Sequence, residues 1–377
     1  MKAFIASDMF VRLAFLALFA APLFAATIDT GKIAGAKFTI ARPAHWNHRL
    51  LLLAHGHRPE PAPLVADLDP TQFAYRSLLD EGWMIDKTSY RRNGGAPTDA
   101  IADLDALRDH IEKNYGQLER VIIEGESLGG TAAILMAERN DGLYSGAIAI
   151  GANFNLQEYD QSLGFSLKPQ IPLILLANQT ELTGPRDYVN AKIPRTEDEP
   201  QPVVFRVSRD GRANINQRER LAALRVLNAW LDRGPTALPR PLNGGEFFDI
   251  TAPATPQPSQ VTFLSDGRSF DAQVVRIDLF SGNFTLNAQP EDFARVGLGK
   301  NAYFQLVAHG EAFRVFYGRD FNVSFRPIFR GKHIREPPGT KRGEWITLVD
   351  ADGFFIFGRN FANAATTAHL AVGDSVT

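Results

Sequence analysis

The sequence predicts an α/β fold, with a doubly wound and mostly parallel sheet that is followed by a smaller, mainly β domain. Three observations support this fold class. Between residues 37 and 234, short continuous apolar runs alternate with amphipathic helical stretches. A stretch rich in proline and glycine follows, from Pro235 to Gln260. From Val261 onward, short β-prone runs and turn signals dominate. Regular alternation of strands and helices is typical of a parallel sheet with helices on its faces.

Six runs of the first domain have the continuous apolar character of strands that are buried on both faces. They are Leu50–Ala54, Trp83–Ile85, Val121–Ile123, Ala147–Ile150, Leu173–Ala177 and Val203–Val207. Apolar residues at helical spacing indicate helices between them, one through Ile101 and Ile111 and one through Leu221 and Leu231. Gly234-Pro235 is a stop signal for the second of these helices.

The second domain is expected to begin after a linker. Six prolines and the pair Gly244-Gly245 lie between residues 235 and 260, and such a composition does not sustain a regular helix. The β-prone runs beyond it are Val261–Leu264, Gln273–Ile277, Tyr303–Val307, Phe313–Tyr317, Trp345–Val349 and Phe354–Phe357. We therefore expect a first domain over residues 27–234, a linker over 235–260 and a second domain over 261–377.

The first 26 residues have the pattern of a secretory signal peptide. Lys2 and Arg12 precede an apolar run of 14 residues, Leu13 to Ala26, which contains Pro22 and is short for a bilayer span. We predict a secreted or periplasmic protein whose mature chain starts near Ala26 or Thr27. An uncleaved anchor is the alternative. The chain has no cysteine, which rules out a disulfide or a lipoprotein anchor.

The overall charge narrows the class of partner. The chain of 377 residues has a net charge of -2, with 45% hydrophobic and 22% charged residues. This balance gives no sign of a nucleic-acid partner, and we expect no stable membrane insertion after signal cleavage. The sequence has no metal-ligand cluster, and Gly125 to Gly130 lacks the Lys-Ser/Thr end of a phosphate-binding loop, so no cofactor is expected.

The pentapeptide Gly125-Glu126-Ser127-Leu128-Gly129 carries the strongest chemical signal. It follows the apolar run ending at Ile123 and precedes a helix-like stretch from Thr131 to Arg139. A strand, a sharp Gly-x-Ser-x-Gly turn and a helix together form a nucleophile elbow, in which the serine hydroxyl stands above the sheet. The two glycines lack the Cβ atoms that would collide in this turn. Ser127 is therefore the candidate nucleophile.

Residues 37–234 resemble an α/β-hydrolase of the esterase and peptidase type. The resemblance rests on His55-Gly56, the segment Thr88–Arg92, the run Gly125–Gly130 and the final helix. It implies an oxyanion hole made by the backbone N–H groups of Leu128 and of a residue near His57, with His55 bracing the loop. The implied chain order is serine, acid, histidine.

The resemblance also implies an acid after the next-to-last strand and a histidine after the last strand. Glu181 is the candidate acid, and Asp187 is the alternative. At the position of the expected histidine the chain has Arg212, in Ser208-Arg-Asp-Gly-Arg-Ala-Asn-Ile-Asn216. Arginine keeps its proton at any useful pH and cannot act as a general base. It could instead form an ion pair with Glu181 or bind an anionic group.

Three explanations of Arg212 stay open at this point. The site is inactive, or His57 acts as the base from the oxyanion side, or His309 or His333 reaches in from the second domain. We favour a degraded or altered hydrolase site.

The first hypothesis is an exported serine hydrolase that acts on a small-molecule ester or acyl substrate. The alternative is a non-catalytic protein on the same scaffold that binds an anionic or nucleoside-like ligand.

The second domain resembles the C-terminal domain of S-adenosylmethionine hydroxide adenosyltransferases. The matching segments are Val275–Asn287, Gly343–Phe354 and Asn363–Val376, and Phe280-Ser281-Gly282-Asn283 carries one insertion relative to the family's Phe-Gly-Asn. The family's water-activating domain has no counterpart here, so adenosyl transfer is not expected. If ligand binding survives, Asp278 and Asn283 are the positions that carry over. The simpler interpretation is a β module used for homo-oligomerisation or for framing the hydrolase pocket.

Overall fold

The computed structural model describes residues 26–377, with the exception of 140, 161, 195, 197–198, 240–246, 254–258, 319–342 and 361. The predicted signal peptide therefore lies outside the described residues, apart from Ala26. His333, one of the histidines considered as a base, also lies outside them.

The first sheet confirms the predicted doubly wound, mostly parallel architecture. Within the described residues it has nine strands in the order β1-β2-β4-β3-β5-β6-β7-β8-β9. These strands are β1 (Thr27–Ile33), β2 (Ala36–Arg42), β3 (Arg49–Ala54), β4 (Met84–Thr88), β5 (Arg120–Glu126), β6 (Gly146–Ile150), β7 (Leu173–Asn178), β8 (Val203–Val207) and β9 (Phe248–Asp249). The pairs β1–β2 and β2–β4 are antiparallel, and all other neighbours are parallel.

Helices cover both faces of this sheet. They are α1 (Phe73–Asp80), α2 (Pro97–Tyr115), α3 (Leu128–Ala137), α4 (Thr183–Val189) and α5 (Gln217–Arg233). Buried residues of α2 and α3 share one hydrophobic cluster, and those of α1 and α5 share the other. Pro97 starts α2, and Asn216 with Glu219 forms a capping box at the start of α5. We call this nine-stranded sheet and its helices the α/β unit.

The two faces explain the continuous apolar runs of the sequence. Along β3, Leu50 and Leu52 pack into the cluster beneath α2 and α3, whereas Leu51 and Leu53 pack into the cluster beneath α1 and α5. Successive side chains of a strand point to opposite faces, so a strand covered on both faces is apolar at most of its positions.

The strand order also fixes where a site is expected. The chain runs from β3 outward to β4 on one side, and then returns to β5 and continues to β8 on the other side. The loops that leave the carboxyl ends of β3 and β5 therefore diverge and leave a crevice between them. Ligands of open α/β sheets bind at such a switch point.

The segment 235–260, where the composition predicts a linker, contributes a strand to the α/β unit. Phe248 and Asp249 form β9 and pair in parallel with β8. The ring of Phe248 lies 5.3 Å from that of Phe205, and Arg206 Nη2 lies 2.8 Å from Asp249 Oδ2. An aromatic contact and an ion pair thus hold a two-residue strand that has too few residues to show a pattern in the sequence.

The remaining described residues form a smaller, mainly β structure, as predicted, which we call the β unit. Its strands are β10 (Thr262–Phe263), β11 (Phe270–Ile277), β12 (Phe284–Leu286), β13 (Tyr303–Ala308), β14 (Glu311–Tyr317), β15 (Trp345–Val349), β16 (Phe355–Arg359) and β17 (Ser375–Val376), with helices α6 (Pro290–Arg295) and α7 (Ala364–Thr367). Stacked rings fill its core, with Phe293 on Phe355 at 3.8 Å and Phe284 on Phe357 at 5.2 Å.

Candidate active site

Ser127 stands at the turn between β5 and α3 in a strained conformation. Its φ is 55° and its ψ is −111°, and it is the residue that immediately precedes α3. Positive φ is costly for a residue with a side chain and persists only where the surroundings impose it. Here the Ser127 N–H donates to the Ile150 carbonyl at 2.8 Å, and the Ser127 carbonyl accepts from the Thr131 N–H at 3.0 Å.

Two glycines make this turn possible. A Cβ added to Gly125 would lie 2.0 Å from the Gly129 carbonyl oxygen, and a Cβ added to Gly129 would lie 2.0 Å from the Ala54 carbonyl oxygen. Both neighbours are backbone atoms, so no side-chain movement could relieve the clash. The start of α3 therefore packs directly against the ends of β5 and β3, and this packing holds the Ser127 hydroxyl above the sheet.

The loop after β3 lies beside Ser127, as the sequence predicts. A Cβ added to Gly56 would lie 3.3 Å from Ser127 Cβ. The preceding residue, His55, is buried and stacks on the ring of Tyr90 at 3.8 Å, and the Tyr90 hydroxyl donates to the His55 carbonyl at 3.0 Å. Burial, and then the nearby Arg58 guanidinium, lowers the pKa of His55 from 6.5 to about 3. His55 is thus a neutral side chain that braces the loop.

The two predicted oxyanion donors, Leu128 and His57, belong to segments that adjoin Ser127. Leu128 is the first residue of α3, so its N–H has no acceptor within the helix. His57 follows Gly56 directly. Desolvation lowers the pKa of the His57 ring, and the nearby Glu60 carboxylate opposes that shift.

Arg212, the residue at the position of the expected histidine, lies beside Ser127. Its Nη2 donates to Ser127 Oγ at 3.2 Å, and it lies 3.5 Å from the Gly151 carbonyl oxygen. Its Nε lies 3.7 Å from Glu181 Oε1. Two residues with positive φ, Gly211 and Ala213, flank Arg212 and aim its side chain back toward the sheet. The guanidinium therefore bridges the serine and the acid.

The structure places Glu181, rather than Asp187, next to this guanidinium. Glu181 Oε2 accepts from the Ala213 N–H at 3.0 Å and from the Asn178 N–H at 3.4 Å, and its side chain is only 9% exposed. Asp187 is exposed on α4. The sequence-predicted residues Ser127, Arg212 and Glu181 thus come together as a serine–arginine–glutamate row.

A buried ionic cluster beneath the elbow was not predicted from the sequence. Arg220 of α5 binds Glu124 and Glu126, the last acidic residues of β5, with Nη1 at 2.5 Å from Glu124 Oε1. The Arg220 guanidinium is buried, which disfavours its charge, but the two carboxylates outweigh burial and raise its pKa. The cluster ties the start of α5 to the residue directly before Ser127. A charged residue at an otherwise apolar helix position was its only signal in the sequence.

A cleft of about 650 Å³ opens beside Arg212, between the α/β unit and the β unit. Both units contribute polar and charged side chains to its wall, which makes it suited to a polar ligand. The lining residues are Asp69, Gln72, Tyr75, Glu126, Gly211, Arg212, Ala213, Asn214, Ile215, Asn216, Gln217, Arg220, Arg276, Leu348, Asp350, Ala351, Asp352 and Ile356.

Asp278 and Asn283, the candidate residues of the β unit, do not line this cleft. Asp278 Oδ1 accepts from the N–H of Phe280 at 3.1 Å and from Ser281 Oγ at 2.6 Å, so this carboxylate holds its own turn together. The Asn283 N–H lies in the same turn and donates to Ser281 Oγ at 3.2 Å. His309 Nε2 lies 3.3 Å from Asp374 Oδ2 within the β unit, whereas Ser127 Oγ is bound by Arg212.

The described residues have neither a metal-binding cluster nor a membrane-spanning helix. They contain no group of three or more histidine, aspartate or glutamate side chains that could hold a metal ion. In the same part of the chain, no helix has the length and apolar character needed to cross a membrane.

Comparisons with known proteins add a structural context. No family model and no curated protein matches the chain. Among solved structures, an esterase from Pyrococcus furiosus is 13% identical with a TM-score of 0.37, and the match covers 49% of this chain and 81% of that one. An acylaminoacyl peptidase from Pyrococcus horikoshii is 11% identical with a TM-score of 0.42, over 56% of this chain and 42% of that one. An uncharacterised conserved protein from Thermotoga maritima is 16% identical with a TM-score of 0.25, and the match covers 40% of this chain and 48% of that one. The chain thus spans less than half the length of the latter two proteins.

Proposed function

We propose that this protein is an exported serine hydrolase that acts on ester or acyl bonds of small molecules, with Ser127 as nucleophile. The observation that carries this proposal is the backbone of Ser127. A serine at φ 55° and ψ −111°, between two glycines that no larger residue could replace, is a costly arrangement that fixes its hydroxyl in one place. It presents the hydroxyl at the switch point of the sheet, where ligands bind.

In this proposal Ser127 Oγ attacks the carbonyl carbon of the substrate, and the N–H groups of Leu128 and His57 bind the oxygen on which charge develops. Arg212 does not take the serine proton. Its fixed positive charge at 3.2 Å from Oγ favours the deprotonated form of Ser127. The Ser127 proton passes through a water molecule to the leaving group as the bond between that group and the acyl carbon breaks, and a second water then hydrolyses the acyl ester of Ser127. Glu181 holds the guanidinium in place.

Labelling with a fluorophosphonate tests the nucleophile without a guess about the natural substrate. We expect the mature protein to be labelled and Ser127→Ala to be unlabelled. A folded wild-type protein that takes up no label would refute the proposal. Labelling that persists in Ser127→Ala would place the reactive group elsewhere.

A second variant tests the role of position 212. Loss of the base from a serine triad costs several powers of ten in rate, so Arg212→His should raise the hydrolysis of a simple aryl ester if the rest of the pocket is intact. Arg233→His, at the exposed end of α5, is the matched control and should change nothing. The double variant Ser127→Ala, Arg212→His should be inactive. A rate that stays at background in Arg212→His would mean that the pocket has lost more than its base.

One observation favours a second candidate function, a binding protein without catalysis. Arg212 presents a permanent cation at the place where a carboxylate or phosphate group could meet Ser127 Oγ. This candidate predicts thermal stabilisation by a small anion or by adenosine, since a ligand that binds only the folded state raises the unfolding temperature. Arg212→Gln should abolish stabilisation by the anion, whereas Ser127→Ala should retain most of it.

Export forms the last part of the proposal, and it rests on the N-terminal sequence. Expression of the full chain in a bacterium, followed by fractionation and mass spectrometry, tests it. We expect a periplasmic or secreted product that begins near Ala26 or Thr27. An intact N-terminus in the cytoplasmic fraction would contradict it.

A further inference from the structure

The β unit contacts both loops that flank Ser127. On one side, the ring of Phe280 lies 3.9 Å from the guanidinium carbon of Arg58. On the other side, Asn214 Nδ2 donates to the Val349 carbonyl at 3.0 Å. We propose that Phe280 is a positioning residue for the Ser127 site, which acts through Arg58 on the loop that carries the His57 N–H. The expected effect on the reactivity of Ser127 rests on the proposed function. The expected effect on the loop of residues 56–60 rests on geometry alone.

The side chain of Arg58 is buried and is held by two hydrogen-bond acceptors and one aromatic ring. It is 4% exposed, and its guanidinium donates to the Val65 carbonyl and to Asp67. These bonds use the edges of the guanidinium plane, and the ring of Phe280 covers its face. The stacking of a guanidinium on an aromatic ring is favourable, and more so when water is excluded. The Arg58 carbonyl also accepts from the Gly94 N–H at 2.9 Å.

The path from Arg58 to the reacting atoms is short. Arg58 directly follows His57, whose N–H is the proposed oxyanion donor. Gly56 precedes His57 and approaches so closely that its Cβ position would be 3.3 Å from Ser127 Cβ. A shift of the Arg58 backbone therefore moves the His57 N–H relative to Ser127. Displacements of about 1 Å at such donors have large effects on rate.

Phe280 is presented by a turn that is built to hold it. Asp278 Oδ1 accepts from the N–H groups of both Phe280 and Ser281, at 3.1 and 2.5 Å. Gly282 has a φ of 69°, and a Cβ there would lie 2.0 Å from Asn363 Cγ, so the turn is pressed against the start of α7. Asp278 and Gly282 thus fix the turn from which Phe280 reaches Arg58.

The test compares two phenylalanines that each lie under an arginine. Phe280→Leu removes the ring beneath Arg58, and Phe263→Leu removes a ring that lies 4.0 Å from Arg295 within the β unit. We expect Phe280→Leu to slow fluorophosphonate labelling about fivefold and to lower kcat more than it raises KM for an aryl ester. Hydrogen exchange should quicken at residues 56–60. Phe263→Leu should leave the labelling rate, kcat, KM and the exchange of residues 56–60 unchanged. Phe280→Tyr should behave as the wild type does.

Two readouts keep the inference separate from the proposed function. If the wild-type protein takes up no label, the proposed function fails, and the exchange of residues 56–60 alone decides the positioning role. Unchanged exchange in Phe280→Leu, or an equal change in Phe263→Leu, would overturn the inference in either case. If Phe280→Leu does not fold, Asp278→Ala loosens the same turn and should give the same changes in exchange. Unchanged exchange in that variant would overturn the inference as well.

Discussion

Replacing Gly125 with alanine tests the steric account of the elbow. The added Cβ would lie 2.0 Å from the Gly129 carbonyl oxygen, 2.3 Å from the Gly129 carbonyl carbon and 2.7 Å from the Gly130 nitrogen. Real Cβ atoms essentially never come within 3.0 Å of such atoms. The contact between the end of β5 and the first turn of α3 would therefore have to open from 2.0 Å to at least 3.0 Å.

That movement has little room. The first turn of α3, Leu128–Thr131, is buried, and Gly129 already touches the Ala54 carbonyl on its other side. Overpacking of a tight interior costs about 1 to 3 kcal/mol, and more where backbone must move. We expect Gly125→Ala to lower the free energy of unfolding by about 4 kcal/mol, a large part of the stability of a typical domain.

Chemical denaturation followed by tryptophan fluorescence measures this loss. Three of the four tryptophans, Trp46, Trp83 and Trp230, belong to the α/β unit, so the signal reports mainly on its unfolding. Gly164→Ala is the matched control, because nothing lies within 4 Å of the added Cβ. A Gly125→Ala protein with the stability of the control, and with full fluorophosphonate labelling, would refute the reasoning.

Three further predictions concern the supports of the site. Asn216→Ala removes the acceptor of two N–H groups at the start of α5 and should lower the free energy of unfolding by about 1 kcal/mol in urea denaturation. Arg209→Met leaves the buried Glu219 carboxylate without its ion pair, so in the same assay we expect a loss of about 3 kcal/mol. The pKa of His55 drops from 6.5 to about 3 on folding. Between these pH values the unfolded chain binds a proton that the folded chain does not bind. The contribution of His55 to the free energy of unfolding is therefore fully present above pH 6.5 and declines as the pH falls. Because of this residue, urea denaturation should give a free energy of unfolding about 2 kcal/mol lower at pH 5 than at pH 7. The His55→Phe variant should lack this part of the pH dependence. An equal pH dependence in both proteins would contradict the prediction.

Local patterns made the α/β unit predictable from its sequence. The apolar runs mark β3 to β8, because a strand covered on both faces is apolar at most of its positions. The glycine spacing marks the elbow, because only glycine fits there. The candidates Ser127, Glu181 and Arg212 came from the resemblance to α/β-hydrolases, and their side chains lie close together in the structure.

Features that depend on distant partners did not show in the sequence. β1 is exposed or half-buried at every residue, so it has no apolar pattern, and its pairing with β2 defines it. β9 exists through its contacts with β8. The binding of Arg220 to Glu124 and Glu126 spans more than ninety residues, and the contact of Phe280 with Arg58 joins separate units. Residue type alone gives no sign of such pairs.

The guanidinium beside Ser127 has a consequence for how the protein responds to its surroundings. A site built on imidazole changes its charge near neutral pH, and so senses acidification. Arginine does not lose its proton in proteins, so a guanidinium beside Ser127 keeps its charge from acidic to neutral pH. An arginine at this position would make the affinity for an anionic group nearly constant across that pH range, at the expense of proton transfer.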